Sequence, residues 1–485
     1  MPATDPTDQT DPKEKEPRMT RSTLSLADGG SLPQVSVHTL VIGSGASGLN
    51  AALQLHNQGI RDVVVVSEGL QKGTSINTGS DKQTYYKLAL CGEDADAPRI
   101  MANNYFEGGS MHGDLALVEA SLSARAFLNL VNIGVPFPQD PFGQFIGYKT
   151  DHDPRQRATS VGPYTSREMC RALIRQVQDR DIPVHENTDV VELLTVPDPE
   201  AESGKRAAGA LALDETGEWI AYRAENVVFA VGGPGGMYKT SVYPEVHTGA
   251  IGLALMAGAK AQSLPESQYG MASTKFRWNV SGTYMQVCPR FVSTDADGES
   301  NPREFLRDYF DETGTMNSMV FLKGYQWPFD SRKIVGGSSI IDILVYIETV
   351  LKGRRVFLDY RENPADFAFN DLSAEAYEYL EIRVEPLEIA VCAQHNNGGL
   401  AGNAWWQSRN VARLFPVGEV NGSHGAYRPG GSALNSGQVG SFRAAEFIAA
   451  RCTEKTLDKQ AFETAARERA DALKAWLASG MNSDR

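Results

Sequence analysis

The sequence predicts an α/β protein that contains a discontinuous Rossmann-like domain, an inserted α+β capping domain and a short C-terminal helical tail. Three observations support this fold class. A glycine-rich turn at residues 43–48 joins an apolar strand to a helix. Apolar strands that end in glycine occur early in the chain and return after residue 410, and the region between them is richer in aromatic and charged residues. The 485 residues, of which 41% are hydrophobic, are sufficient for two or three domains, since a domain averages about 150 residues.

The first structured unit is a strand–helix–strand segment. Residues 35–42 (VSVHTLVI) form a nearly continuous apolar run, as expected of a strand that is buried on both faces. The turn Gly43-Ser-Gly-Ala-Ser-Gly48 follows at once and opens a helix that ends near Gly59. A second apolar strand at 62–67 ends at Glu68, which lies 20 residues after Gly48.

Each position of this unit suits the binding of a dinucleotide. Gly43 permits a tight turn, Gly45 lets the backbone approach a pyrophosphate, and Gly48 lets the helix pack closely against the strand. The helix N-terminus stabilises phosphate charge, and the Glu68 carboxylate can accept hydrogen bonds from ribose hydroxyls. Because both strands, the helix and the terminal acid are present, the pattern predicts a dinucleotide site.

The rest of the chain supplies further elements on both sides of an insertion. The stretch 99–178 is mostly helical, and the strand patterns and a small-residue helix that follow lie at 182–194, 207–224, 226–233 and 247–259. After the insertion, a strand at 411–419 precedes a helix from 430 to about 451. An amphipathic helix at 459–477 has Leu473, Trp476 and Leu477 on one face. The predicted domains are a disordered tail (1–34), the first part of the Rossmann-like domain (35–263), the capping domain (264–385), the second Rossmann-like part (386–451) and the C-terminal helix (452–485).

Composition excludes several classes of function. The net charge of −14 argues against binding to nucleic acids or anionic membranes, which requires basic surface. The five cysteines are scattered without a C-x-x-C pair, which excludes a disulfide scaffold, a zinc ribbon and a cysteine-ligated iron–sulfur cluster. The tail lacks an apolar signal-peptide core, and the most apolar later stretch, 340–351, is too short to span a bilayer. We therefore predict a cytoplasmic protein without membrane insertion and without a metal site.

Several motifs beyond the first unit carry a resemblance to a known family. They are Ala230-Val-Gly-Gly233, Thr248-Gly-x-x-Gly252, His395-Asn-Asn-Gly-Gly399, Gly418-Glu419 and His424-Gly-Ala-Tyr-Arg-x-Gly-Gly-Ser-Ala-Leu434. With these motifs the chain resembles the flavoprotein family of succinate dehydrogenase, fumarate reductase and L-aspartate oxidase, over roughly residues 35–451. The resemblance implies that the dinucleotide is FAD and that the Rossmann-like domain is its binding domain.

The resemblance also assigns residues to the cofactor. It implies that Glu419 contacts ribityl or ribose hydroxyls, while Ser432 and Leu434 meet the isoalloxazine ring. The complete predicted FAD set is Gly43, Gly45, Ala46, Ser47, Gly48, Ser67, Glu68, Gly69, Thr74, Ser75, Val191, Gly232, Gly233, Glu419, Ser432, Ala433 and Leu434. The loop in which the family carries its flavin-linking histidine, residues 73–83, has Thr74 and no histidine, so we predict that FAD is bound non-covalently.

Three catalytic residues follow from the same resemblance. His395 and Arg428 match family positions that bind a substrate carboxylate, and Arg290 falls where the family places its proton-donating arginine. The planar guanidinium of arginine binds carboxylates through two hydrogen bonds, although its high pKa requires that a proton donor of this type belong to a relay. The family's His-Pro-Thr-Gly stretch is Gln268-Tyr-Gly-Met271 here, so we expect an anionic substrate that differs from a C4 dicarboxylate.

The sequence thus predicts an FAD-dependent oxidoreductase that transfers hydride between flavin N5 and a small organic anion. Reduction of an activated C=C bond and the reverse dehydrogenation both fit. Two alternatives stay open: an amine or amino-acid oxidase like L-aspartate oxidase, and a flavin-binding electron-transfer subunit that works with a redox protein partner. The substrate, the electron donor and the oligomeric state are left open by the sequence.

Overall fold

A computed structural model describes residues 19–481, apart from residues 81, 93, 151–152, 245–246, 248, 281 and 363–384. Its strands are β1 (Thr20–Ser25), β2 (Ser31–Ile42), β3 (Val63–Val66), β4 (Tyr85–Tyr86), β5 (Ala158–Thr159), β6 (Val184–His185), β7 (Thr188–Pro197), β8 (Lys205–Asp214), β9 (Trp219–Phe229), β10 (Ala261–Gln262), β11 (Ser267–Ser273), β12 (Arg290–Thr294), β13 (Arg303–Glu304), β14 (Arg355–Asp359), β15 (Leu387–Asn396), β16 (Gly399–Leu400) and β17 (Leu414–Pro416).

The α-helices are α1 (Ala46–Asn57), α2 (Thr74–Asn77), α3 (Pro98–Glu107), α4 (Gly113–Asn132), α5 (Thr165–Asp179), α6 (Ile251–Met256), α7 (Thr283–Gln286), α8 (Thr313–Lys323), α9 (Ser339–Tyr346), α10 (Ser432–Arg451) and α11 (Lys459–Met481). Helix α9 continues as a π-helical turn at Ile347–Leu351. Short 3₁₀ turns lie at Gly235–Met237, Phe305–Asp308 and Ser331–Lys333.

An eight-stranded sheet forms the centre of the Rossmann-like part. Its order is β6-β3-β2-β9-β8-β7, with β1 paired to β2 and β17 paired to β9. The pairs β2–β3, β2–β9, β3–β6 and β9–β17 are parallel. All four valines of β3 are buried, because helices and loops cover both faces of this part of the sheet. Helices α1 and α10 pack against each other, and the N-termini of both reach the site described below.

A second sheet of five antiparallel strands has the order β11-β15-β14-β12-β13. It has its own hydrophobic core, which includes Trp278, Phe291, Phe305, Leu344 and Leu358. Its strand β15 begins just after the predicted end of the inserted domain at residue 385, so one strand of this sheet belongs to the following segment in sequence. The domain boundaries themselves stay a prediction.

The predicted disordered tail is wrong for residues 20–34. Strand β1 pairs antiparallel with the first half of β2, in register from Thr20 opposite Ser36 to Ser25 opposite Ser31. Leu24 and Leu32 are buried against Phe462 of α11. The tail has few apolar residues of its own, and the apolar surface on which it packs comes from the far end of the chain. Its sequence alone therefore does not show that it folds. Residues 1–18 lie outside the described residues.

The apolar face of α11 also differs from the prediction. The buried positions are Phe462, Ala466 and Ala470, which recur every four residues and pack on β7 and β8. Leu473 lies at the edge of this cluster, whereas 69% of Trp476 is exposed. Among the residues that the structure describes, no helix has the length and apolar character that a bilayer span requires.

Candidate active site

The glycine-rich turn brings three backbone segments into close contact. Gly43 has a φ of 105°, and a Cβ there would lie 2.3 Å from the carbonyl oxygen of Ala230 at the end of β9. A Cβ on Gly48 would lie 2.0 Å from the carbonyl oxygen of Gly43. A Cβ on Gly45, by contrast, would meet Ser75 Oγ at 3.4 Å, an ordinary contact. Gly43 and Gly48 are therefore needed for packing, whereas Gly45 keeps open the space in front of it.

That space is a cavity of about 650 Å³ at the N-terminus of α1. Helix α1 has no side-chain cap and no acidic residue in its first turn. The N–H groups of its first turn and its positive dipole end favour a negatively charged ligand. The volume lies within the range of ligand pockets.

Most of the predicted cofactor residues line this cavity. The lining set includes Gly43, Gly45, Ala46, Ser47, Ser67, Glu68, Thr74, Ser75, Gly232, Glu419, Ala433 and Leu434. His395 lines it as well. These residues come from the ends of β2, β3, β9 and β17, from the loop after β3 and from the start of α10, so segments far apart in sequence meet in one place.

The other predicted cofactor residues lie outside the lining. Gly48 packs beneath Gly43, and Gly233 lies behind the Glu419 carboxylate. Gly69 accepts a hydrogen bond from Ser44 Oγ at 3.0 Å, and Ser432 is fully buried in the first turn of α10.

Val191 is not among the residues that line the cavity, and its cofactor contact stays a prediction. Asp189 and Val190 line the cavity, while Val191 packs against the cluster that holds α11 on the sheet. Successive side chains on a strand point to opposite faces, and β7 has an irregular register between Val190 and Glu192. A one-residue error in a strand therefore moves the side chain to the wrong side of the sheet.

His395 lines the cavity, and Arg428 lies next to it outside the lining. Arg428 Nε is 3.3 Å from His395 Nδ1, and Arg428 Nη1 donates to the carbonyl oxygen of Pro429 at 3.4 Å. Within the described residues, no carboxylate lies within 4 Å of the Arg428 guanidinium. Loss of hydration lowers the pKa of Arg428 to about 10. Arg428 is thus a positively charged group that the rest of the site leaves without a paired anion.

His395 is buried and uncharged near neutral pH. Burial, with the nearby charge of Arg428, holds its pKa well below the ordinary value. Its Nδ1 lies 2.9 Å from Asn397 Oδ1, and Asn397 Nδ2 donates to the Gly425 carbonyl oxygen at 2.6 Å. Gln268, which occupies the place of the family's histidine stretch, pairs directly opposite His395 in the β11–β15 ladder.

Three residues that shape the site were not assigned from the sequence, namely Tyr243, Asn396 and His247. Tyr243 donates a short hydrogen bond to Glu419 Oε1, which also accepts from the Asn396 backbone N–H at 2.9 Å. His247 stacks on Tyr243 with ring centroids 5.2 Å apart. His247 Nδ1 lies 3.0 Å from Thr74 Oγ1, and its Nε2 lies 2.6 Å from the carbonyl oxygen of Gly233. The one available signal was the position of His247 directly before the Thr248-Gly-x-x-Gly motif.

Arg290 is the predicted catalytic residue that the structure does not bring to the cavity. It begins β12, and its Nη2 donates to Asp359 Oδ2 at 2.7 Å. Its Nη1 lies 2.9 Å from Glu362 Oε1 and 3.6 Å from Glu304 Oε1. Three carboxylates of the second sheet thus hold this guanidinium, because β12 and β14 place Arg290 and Asp359 opposite each other. This arrangement does not support the predicted proton-donating role.

The comparisons with known proteins agree with this geometry. Residues 38–307 match the profile of the family described as FAD binding domain, FAD_binding_2. This chain belongs to that family. One subunit of the fumarate reductase (CoM/CoB) of Methanothermobacter marburgensis is 26% identical over 422 residues, which cover 84% of this chain and 71% of the relative. The L-aspartate oxidase of Streptomyces coelicolor is 26% identical over 451 residues, which cover 87% and 70%.

Solved structures share the fold. Mycobacterium smegmatis Sdh1 in complex with UQ1 has a TM-score of 0.70 at 22% identity, over 90% of this chain and 72% of that chain. A quinol-fumarate reductase has a TM-score of 0.72 at 18% identity, over 91% and 76%. The predicted fold class, the FAD cofactor and the resemblance to the succinate dehydrogenase and fumarate reductase flavoproteins are confirmed. The protein is an FAD-dependent oxidoreductase of this flavoprotein type.

The residues of the cavity fit FAD. The α1 N-terminus and the open backbone at Gly45 suit a pyrophosphate, and the Glu68 side chain, 39% exposed at the end of β3, suits a ribose. Ala433 and Leu434, at the start of α10, line the same cavity as His395. Arg428, whose Nε lies 3.3 Å from His395 Nδ1, is adjacent to the cavity lining.

Proposed function

We propose that the protein transfers hydride between FAD and a carbon atom of a small or medium organic anion, and that Arg428 holds a carboxylate of this anion. The observation that carries the proposal is the Arg428 guanidinium, which is partly buried beside the cavity and has no carboxylate partner within the described residues. A guanidinium that has lost hydration is unfavourable unless an anion compensates it. A bound carboxylate would supply two parallel hydrogen bonds and the missing negative charge.

His395 complements Arg428 in this proposal. Its imidazole is neutral, so it contributes hydrogen bonding without adding a second positive charge. His395 lines the cavity, and Arg428 Nε lies 3.3 Å from His395 Nδ1. The two groups can therefore hold one end of an anion, with the rest of the anion directed toward the isoalloxazine ring. When bound, FAD supplies the hydride donor or acceptor. Arg290 is left out of the proposed site, because its guanidinium is paired with Asp359 and Glu362.

Substitution of Arg428 tests the proposal. Arg428→Lys keeps the charge but loses the planar pair of donors, so KM for the anion should rise by roughly tenfold while kcat changes less. Arg125→Lys, at an exposed guanidinium that pairs with Glu446, is the matched control and should leave KM unchanged. As a first screen, acetate, succinate, citrate and benzoate are titrated against the flavin absorbance of the holoprotein. An unchanged KM in Arg428→Lys would remove Arg428 from the site.

A second candidate reaction is the dehydrogenation of a C–N bond in an amino-acid anion. An L-aspartate oxidase is as similar to this chain as the fumarate reductase relative. The names of both relatives specify substrates with carboxylates, so Arg428 suits either reaction. Anaerobic addition of amino acids distinguishes them: bleaching of the oxidised flavin by an amino acid supports oxidation, whereas reoxidation of dithionite-reduced protein by an unsaturated acid supports reduction.

We also propose that electrons reach the flavin through a redox protein partner. The supporting observations are the scattered cysteines and the relative that is named as one subunit of a reductase. The test is stopped-flow reoxidation of the reduced protein. Fast reoxidation by small molecules alone, with no acceleration by any redox protein from the same cells, would contradict the need for a partner.

A further inference from the structure

A buried carboxylic acid lies behind the anion site and is not used by the proposed reaction. Glu119, in the middle of α4, is fully buried. Its Oε1 accepts a hydrogen bond from Ser436 Oγ at 2.8 Å, and Ser436 Oγ lies 2.9 Å from Ser423 Oγ. Its Oε2 has no hydrogen-bond partner, and within the described residues no positively charged nitrogen lies within 4 Å of either oxygen. Glu119 therefore lacks the close cation that normally accompanies a buried carboxylate.

The hydroxyls next to Glu119 belong to the elements that build the anion site. Ser436 is in the first turn and a half of α10, whose Ala433 and Leu434 line the cavity. Ser423 directly precedes His424, and the His424 ring packs edge-on against His395 with centroids 5.0 Å apart. The charge of Arg428, four residues further on, acts on His424 and on Glu119 alike. Glu119 and a carboxylate bound to Arg428 would thus both interact with the charge of the same guanidinium.

Glu119 is a buried group whose protonation changes at mildly alkaline pH. Burial raises the pKa of Glu119 to about 8, against the opposing hydrogen bond from Ser436 and the charge of Arg428. His424, in the loop after Ser423, and His395, on β15, are the nearest imidazoles of the anion site, and burial keeps the pKa of each well below 6.5. Tyr105 faces it from α3, and burial raises its pKa well above 10. Between pH 7 and 9, His424, His395 and Tyr105 therefore keep their protonation state. Lys87, which lies over the Phe127 ring about two turns further along α4, titrates in the same range because burial lowers its pKa to about 8. The comparison with Glu119→Gln is therefore needed to assign the uptake to Glu119.

We propose that Glu119 is a proton-binding site coupled to the anion site: when a carboxylate pairs with Arg428, the protonated fraction of Glu119 increases by proton uptake from solvent. The proposal rests on the proposed function of Arg428. The positive charge of Arg428 stabilises the ionised form of Glu119, and a bound carboxylate cancels that charge. The ionised carboxylate then has no compensation in its buried position, so the neutral acid becomes the stable form. Proton uptake on substrate binding would offset part of the negative charge that the anion brings into the buried site.

The coupling predicts a specific dependence of anion affinity on pH. If pairing raises the pKa of Glu119 by about one unit, then about 0.4 proton is taken up per anion bound at pH 8. By the same linkage, anion affinity falls roughly fivefold from pH 7 to pH 9. Glu119→Gln, which mimics the neutral acid, should bind the anion with an affinity that is nearly constant over this range.

The experiment is calorimetric titration of the FAD-bound protein with the tightest binder among acetate, succinate, citrate and benzoate. Titrations in buffers of different ionisation enthalpy at pH 8 count the protons taken up. We expect uptake in the wild type, none in Glu119→Gln, and normal uptake in Glu446→Gln, whose carboxylate lies on the outer side of α10 and pairs with Arg125. Ser436→Ala removes the hydrogen bond that favours the ionised form, so its uptake should shift to higher pH.

Infrared difference spectra recorded on addition of the same carboxylate provide a second measurement. A band of a protonated carboxyl group should appear in the wild type and be missing in Glu119→Gln. Proton uptake that persists in Glu119→Gln, or the absence of uptake in a wild type that binds the anion through Arg428, would overturn the coupling while leaving the proposed function intact. If binding proves insensitive to Arg428→Lys, both the proposed function and the coupling fall.

Discussion

Replacement of Gly45 by alanine separates the demands of cofactor binding from those of folding. Gly45 has a φ of −70° and a ψ of 177°, which alanine adopts without strain, and its new Cβ would meet Ser75 Oγ at 3.4 Å. The fold should therefore tolerate the substitution, and the free energy of unfolding should stay within about 1 kcal/mol of the wild-type value. The methyl group would, however, project into the cavity at the N-terminus of α1, where the pyrophosphate is expected.

Displacement of a phosphate from backbone N–H groups weakens charge-assisted hydrogen bonds by about 1.5–3 kcal/mol, so the FAD dissociation constant should rise roughly tenfold to hundredfold. Gly48→Ala is the contrasting variant, because its Cβ would overlap the Gly43 carbonyl at 2.0 Å and should disturb the packing of α1. Gly314→Ala, in α8 with open space around it, is the control.

The dissociation constant is measured from flavin fluorescence on dilution of the holoprotein, and the fold is checked by far-ultraviolet circular dichroism. FAD affinity in Gly45→Ala within threefold of wild type would refute the reasoning, since it would show that the backbone at this residue does not approach the pyrophosphate. A collapsed dichroism spectrum would equally contradict the expected tolerance of the fold.

Three further predictions concern the cofactor, stability and motion. FAD should be released into the supernatant after acid precipitation, because the loop carries Thr74 and both ring nitrogens of His247 have hydrogen-bond partners; flavin that stays in the pellet would show a covalent link. Burial without a hydrogen-bond partner for Nζ lowers the pKa of Lys87 to about 8, so the unfolded chain binds more protons above that pH. The free energy of unfolding of the wild type, relative to that of Lys87→Met, should then rise by about 2 kcal/mol from pH 7.5 to pH 9.5 in urea titrations, since the opposing titration of Glu119 is common to both proteins; a constant difference would exclude this cause. Finally, we propose that the segment 264–385 moves as a cap, so hydrogen exchange with and without a bound carboxylate should change at its edges; uniform protection would argue against it.

The local unit that binds the dinucleotide could be read directly from the sequence. The strand, the turn at Gly43–Gly48, α1 and the acid at Glu68 are adjacent in the chain, and each has a periodicity or a residue type that local physics requires. The resemblance extended the prediction to Glu419 and the start of α10, and these residues do line the same cavity. Such features are predictable because short-range geometry and residue type decide them.

Contacts between residues far apart in sequence decided the features that the sequence did not predict. The sequence could not show that three carboxylates hold Arg290, because they lie on β13, on β14 and just after β14, and register brings them together only in the folded sheet. The pairing of β1 depends in the same way on α11, and the contact of His247 with Thr74 joins two distant loops. Chain periodicity reports which face of an element is apolar. Tertiary structure alone decides which charged groups share a buried site, because the Coulomb interaction and the loss of hydration depend on distance in space.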